Sequence, residues 1–218
     1  KVLNDEKMYD NSLILYTADH GDMLMDHYHW RKTYAYEGSA NIPFVLKWPS
    51  SMESQIKRGA TISKLVELRD VLPTFLDLMG QKIPEDMDGN SILKLIRNKN
   101  APWRDILDLE HWTCYHWRNY WMALTDGKMK YIFFRSTGNE QLFDLEKDPH
   151  ELHNLSVNPA YFPLLKDWRE RMKQHLRIRG KKWVKRGRLR TKKKGPLYSP
   201  NFPGYKKVRS VRRNSSEQ

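Results

Sequence analysis

The sequence predicts an α/β core followed by a small lobe of antiparallel sheet and one helix. Three observations carry that reading. The β-favouring run Ser12-Leu13-Ile14-Leu15-Tyr16-Thr17 breaks into the polar cluster Ala18-Asp19-His20-Gly21-Asp22. Apolar residues recur at helical spacing from Ile62 to Met79, and four short strand-like runs between 106 and 145 precede an amphipathic stretch that ends near Arg177.

Taken in order, the first run is a buried strand entering a loop, the carboxyl end at which α/β sheets collect ligands. Pro43-Phe44-Val45-Leu46-Lys47-Trp48-Pro49 is the next strand of that sheet, bounded by prolines. Leu65, Val66, Leu68, Val71, Leu72, Phe75, Leu76 and Met79 line one face of a helix spanning 62–79, with Gly80 as its stop and Pro73 as a place where it can kink. Strands follow at Ile106–Leu109, Tyr120–Leu124, Lys130–Phe134 and Gln141–Leu145, and Asp126-Gly127 signals a hairpin between two of them. Asn158-Pro159 opens a helix whose apolar face carries Leu164, Leu165, Trp168, Met172 and Leu176. The expected organisation is a core over 1–98, an α+β subdomain over 99–180 and a basic, extended tail over 181–218.

The chain is 218 residues long, with 39% hydrophobic and 30% charged residues, a composition of folded rather than disordered protein. Its apolar runs are too short to span a bilayer, and a single cysteine, Cys114, excludes an internal disulfide. The formal charge of +13 suggests a nucleic-acid partner until it is located. Fourteen of the 39 basic residues and one of the 26 acidic ones lie in 181–218, so the first 180 residues are neutral and the excess belongs to the tail. With no zinc-finger spacing or RNA-binding signature, nucleic-acid binding ranks well below a hydrolytic role. The compartment stays open.

Chemistry concentrates in one loop, where Asp19, His20, Asp22, Asp26, His27, His29, Arg31 and Lys32 fall within fourteen positions. Asp19 and His20 can place a carboxylate oxygen and an imidazole nitrogen on one divalent cation, with Gly21 letting the backbone turn away. Lys32, twelve residues on, can hold a sulfate or phosphate oxygen and offset charge developing on a leaving group. Taken singly, each has a plain structural reading: Asp19 caps a turn, the histidines are surface groups and Lys32 is solvated. Their assembly on one loop favours a site.

Thr17-Ala18-Asp19-His20-Gly21-Asp22-Met23-Leu24, Trp30-Arg31-Lys32-Thr33-Tyr34 and Tyr36-Glu37-Gly38-Ser39 resemble the C-terminal half of the sulfatase family, within the alkaline phosphatase superfamily. The resemblance runs on through Pro43-Phe44, Asp70-Val71-Leu72-Pro73-Thr74, Asp88-Gly89, Leu124-Thr125-Asp126-Gly127-Lys128 and Gln141-Leu142-Phe143-Asp144-Leu145 to Asp148-Pro149, covering about residues 1 to 180. It implies the C-terminal part of an alkaline-phosphatase-like α/β sandwich plus the small subdomain.

By that resemblance Asp19 and His20 match two metal ligands, Lys32 matches the lysine that grips the sulfate and the leaving-group oxygen, and Glu110-His111 brings a histidine that faces the substrate. A strand-end histidine satisfied by the backbone is an equal alternative for His111. Calcium is the favoured ion, with manganese and zinc as alternatives. The family nucleophile, a formylglycine made in Cys/Ser-x-Pro-x-Arg, has no match here: Cys114-Tyr115-His116-Trp117-Arg118 carries histidine where the motif needs proline, so Cys114 reads as a small packed thiol. The resemblance therefore implies a missing N-terminal half that brings the formylglycine, further ligands and the first strands of a parallel sheet. It also implies that the strand at Leu13 has an open edge and that the 218 residues alone are inactive.

Three functions compete. A sulfuric ester hydrolase leads. A phosphodiester or phosphonate monoester hydrolase is favoured by Asp-His in place of Asp-Asn at positions 19 and 20. The third is a non-catalytic remnant that binds acidic polymers through the tail.

Overall fold

The computed structural model describes residues 1–52, 58–113 and 116–193. The chain forms two compact units, one of Lys1–Lys32 with Gly38–Leu107 and the other of Thr33–Glu37 with the residues from Asp108 onward.

In the first unit a short helix α1 (Val2–Asp5) leads to β1 (Ile14–Thr17), which pairs with β2 (Phe44–Lys47) in the register Ile14↔Lys47 to Thr17↔Phe44. The pair is antiparallel: the intervening segment folds back as a loop and one helical turn, α2 (Glu37–Ala40), and contains no crossover helix of the length a parallel connection between these two strands needs. Lys47 secures the start of β1 by donating from Nζ to the Ser12 carbonyl at 3.0 Å and to that of Tyr9.

The helix expected over 62–79 is confined to α3 (Val71–Leu78), after a 3-10 turn at Leu68–Asp70. A capping box sets the start: the Glu67 side chain accepts from the Asp70 backbone while Asp70 accepts from Glu67 N at 3.0 Å. Pro73 then lies in the first turn, where its missing N–H leaves no bond unmade. Upstream, Leu65 is held out of helical conformation, its carbonyl accepting from Trp103 Nε1 (2.7 Å) and Arg104 Nη1 (3.2 Å). Gly80 closes α3 at φ +67, with Gly80 N bonded to Asp77 O and Gln81 N to Leu76 O in a Schellman motif. A short helix α4 (Leu93–Arg97), not foreseen, brings Leu93 and Ile96 into a core with Met52, Leu46, Trp48, Ile62 and Leu78.

The second unit is a four-stranded sheet in the order β3 (Leu107–His111), β4 (Trp121–Thr125), β5 (Met129–Phe134), β6 (Glu140–Asp144), antiparallel at β4–β5 and β5–β6. At the Asp126-Gly127 hairpin, Gly127 takes φ +85 and Asp126 Oδ1 accepts from Lys128 N and Met129 N. One face of the sheet packs Trp121, Ala123, Ile132 and Phe143 against Ala35 and Tyr36. On the other lies α5 (Phe162–Arg177), burying Leu165, Trp168, Met172 and Leu176, while Leu164 is half-buried. Asn158 caps the entry by accepting from Ala160 N, and Arg169 grips Glu140 with two 2.6 Å bonds.

The tail expected to be extended holds a folded piece: β7 (Val184–Lys185) and β8 (Arg188–Leu189) pair antiparallel across Arg186-Gly187, both at positive φ. Residues 194–218 and Cys114 lie outside the described residues. No helix among the described residues is long and apolar enough to cross a membrane.

Candidate metal and anion site

The carboxyl end of β1 delivers Asp19 and His20 together. His20 Nδ1 lies 2.7 Å from the Gly21 carbonyl, which can only accept, so Nδ1 carries the proton and Nε2 presents a lone pair. That lone pair accepts from Lys32 Nζ at 3.0 Å, and Asp19 Oδ2 lies 3.5 Å from the same nitrogen. The three residues singled out in this loop therefore meet at one point, at the solvent surface. Two donors ~2.2 Å from one cation stand roughly 3–3.6 Å apart, so the Asp19–His20 spacing and the tautomer both fit joint ligation of a divalent ion. Nε2 has one lone pair, so it either accepts from Lys32 or ligates. Among the described residues no third His, Cys, Asp or Glu joins them. The remaining acids and histidines of the loop do not converge on this point.

Backbone geometry holds the site. Gly21 N bonds to Ser39 O at 2.9 Å, and a Cβ on Gly21 would fall 2.2 Å from the Gly38 carbonyl, so glycine is required by close approach. Asp22 Oδ1 accepts from both Leu24 N and Arg31 N at 3.0 Å, closing the loop that ends in Lys32. Met23, with no exposed surface, pins it from beneath. His29 is held below its ordinary pKa by burial and by His27.

His111 belongs to the second unit. Its Nδ1 donates to Asn119 O at 2.8 Å, its ring stacks on Trp121 at 5.8 Å, and burial lowers its pKa despite that bond. This geometry matches the backbone-satisfied alternative and leaves Nε2 as an acceptor.

One group was missed in the sequence. The segment directly after Lys32 is fastened to the sheet: Trp121 Nε1 donates to Thr33 O (2.9 Å), Asn119 Nδ2 to Thr33 Oγ1 (2.9 Å) and Tyr36 OH to Gln141 Oε1 (3.1 Å). At its end lies an ion triad, with Lys130 Nζ 2.6 Å from Glu37 Oε1 and 2.8 Å from Glu151 Oε1, while Glu151 Oε2 accepts from Glu37 N. Lys130 and Glu151 are buried, and burial raises the Glu151 pKa against the opposing pull of Lys130. The available signal was a lysine at the buried parity of β5, in step with Ile132.

An α/β unit ending a strand in Asp-His, joined to a four-stranded antiparallel lobe, defines the C-terminal part of an alkaline-phosphatase-like protein. The family described as "N-sulphoglucosamine sulphohydrolase, C-terminal" matches residues 25–178, and the chain belongs to this sulfatase family. An arylsulfatase of Clostridium perfringens is 38% identical over 160 residues, covering 73% of this chain and 32% of that protein. The structure of BT4656 in complex with its substrate D-glucosamine-2-N,6-O-disulfate superimposes with a TM-score of 0.72 at 25% identity, over 80% of this chain and 36% of that one. The phosphonate monoester hydrolase of Silicibacter pomeroyi gives 0.69 at 25% identity, over 89% and 41%. The chain thus spans about a third of the length of the curated relatives it matches.

Proposed function

We propose that this chain supplies part of the metal and sulfate site of a sulfuric ester hydrolase. The observation that carries the reading is the convergence of Asp19, His20 and Lys32, with the His20 tautomer set so that Nε2 can ligate. Asp19 and His20 would hold a divalent cation, calcium being favoured by the carboxylate and by the family. When bound, such an ion supplies Lewis-acid polarisation of an ester oxygen. Lys32 places its ammonium against the sulfate and the leaving-group oxygen, offsetting charge that grows as the S–O bond breaks. Gly21 and Asp22 position the loop. The substrate class is a small sulfate ester, and the sulfated glucosamine bound by BT4656 supports a sulfated sugar.

The nucleophile, a formylglycine, would come from a segment beyond these residues, so the 218 residues alone are expected to be inactive. The test uses the full-length protein, matured by a formylglycine-generating enzyme, on matched aryl sulfate and aryl phosphonate esters. Lys32→Ala should lower sulfate turnover by a factor of ~10² to 10³, and a chelator should abolish it until calcium is restored. Unchanged turnover in Lys32→Ala would refute the assignment. Faster phosphonate turnover, restored by manganese or zinc, would favour the second reading, which Asp-His at 19–20 and the likeness to the phosphonate monoester hydrolase support.

A further inference from the structure

We infer that the β7–β8 hairpin is a docking surface for a sulfated polysaccharide. The choice of polymer rests on the sulfatase reading; the existence of the surface does not. Residues 181–193 contain eight lysines and arginines and no acidic residue, and all eight are exposed. Lys181, Lys182, Lys185, Arg186, Arg188, Arg190 and Lys193 pair with no carboxylate among the described residues, unlike Arg179 just before them, which meets Glu110 and Asp108.

The hairpin is held in shape rather than left as a solvated run. Arg135 donates to Lys182 O at 2.7 Å and to Arg190 O at 3.3 Å, and its guanidinium lies 3.5 Å over the Trp183 ring. Lys192 N returns a bond to Arg135 O at 2.7 Å. The anchored register puts Lys185 directly opposite Arg188, with Arg186 at the turn between them. Like charges facing each other across a strand pair oppose folding, so the scaffold holds a repulsion that a polyanion would relieve.

Arginine forks match sulfate oxygens two at a time, as they match phosphate. A single-stranded nucleic acid would also want stacking platforms. The one aromatic side chain in 181–193, Trp183, has its ring engaged by Arg135 and, edge-on, by Trp112. A chain of sulfated sugars asks only for charge at fixed spacing, and it carries the same ester the site cleaves.

The experiment measures binding of a labelled heparin oligosaccharide to the full-length protein by anisotropy, over a range of salt. Lys185→Glu/Arg186→Glu/Arg188→Glu is compared with Lys64→Glu/Lys94→Glu/Lys99→Glu, which changes net charge equally on exposed residues of the other unit. Expected are a 10- to 100-fold loss for the hairpin variant, under three-fold for the control, and a salt slope lower by about two to three. Single-stranded DNA should compete at least ten-fold less well than heparin. Equal losses in the two variants, or DNA competing as well as heparin, overturns the inference. Because binding is read without turnover, failure of the hydrolase assay leaves this outcome independent.

Discussion

Replacing Lys130 by methionine removes the cation from the buried triad and keeps its hydrocarbon volume. In the native protein the ammonium stands 2.6 Å from Glu37 and 2.8 Å from Glu151, and Glu151 has 1% of its side chain exposed. The variant leaves a carboxylate without its countercharge in the interior, a lesion of about 3–5 kcal/mol. At 2–4 °C per kcal/mol for a chain of this size, the melting temperature should fall by roughly 6–20 °C at pH 8. The sign of the pH dependence follows from Glu151. Its folded pKa is raised by burial, so its contribution is most favourable below the unfolded value of 4.5 and is lost as pH rises through the folded value. Removing Lys130 deletes the opposing pull and raises that folded value further, so the deficit should narrow between pH 8 and pH 5, as Glu151 protonates. Thermal melts at the two pH values decide it. A drop under about 3 °C at pH 8, or an equal deficit at both, refutes the account of the triad as a buried, mutually dependent charge cluster.

Arg104→Leu should destabilise by about 3 kcal/mol in urea titration, because the fully buried Asp70 loses bonds of 2.5 and 2.6 Å; the backbone donors of Glu67 and Asn90 keep the loss at the low end. Gly21→Ala, whose methyl would meet the Gly38 carbonyl, should cost about 1–3 kcal/mol by denaturant melt and lower turnover beyond what reduced stability explains. Burial, reinforced by Glu140, raises the Tyr131 hydroxyl far above its usual range, so Tyr131→Phe should leave the phenolate absorbance titration below pH 11 unchanged.

The antiparallel lobe was legible because its signals are local: alternating runs, an Asp-Gly turn and an amphipathic helix face. The longer helix over 62–79 was over-read because Leu65 and Val66 fit helical spacing by chance, while the start of α3 depends on the Glu67/Asp70 capping box and on Trp103 and Arg104, more than thirty residues downstream. The antiparallel β1–β2 pairing is likewise a matter of how the loop returns, which periodicity does not report. Within the site, Asp19, His20 and Lys32 could be found because residue type and a single loop bring them together. Lys130 could not be matched with its partners because Glu37 and Glu151 lie 93 residues before it and 21 after. Nothing in the local pattern of Glu151, which takes φ +55, marks it as buried.

The loop that carries Lys32 is costly in its backbone. Leu24, Met25, His27, Tyr28, Arg31 and Thr33 all take positive φ, and each non-glycine residue there costs about 1–2 kcal/mol. The side chains of Leu24, Met25, Tyr28 and Trp30 are exposed, so their burial does not offset this, and backbone bonds within the loop, Met23 N to Arg31 O and Met25 N to His29 O among them, do so in part. Further compensation sits at its two ends. On one side are the Gly21–Gly38 approach, the Asp22 carboxylate and buried Met23; on the other, Thr33 held by Asn119 and Trp121. Strain persists only where the surroundings over-determine it, and these surroundings converge on the segment that sets Lys32 against His20. A loop free to relax would lose that placement first, which is why the distortion supports reading this segment as the functional one.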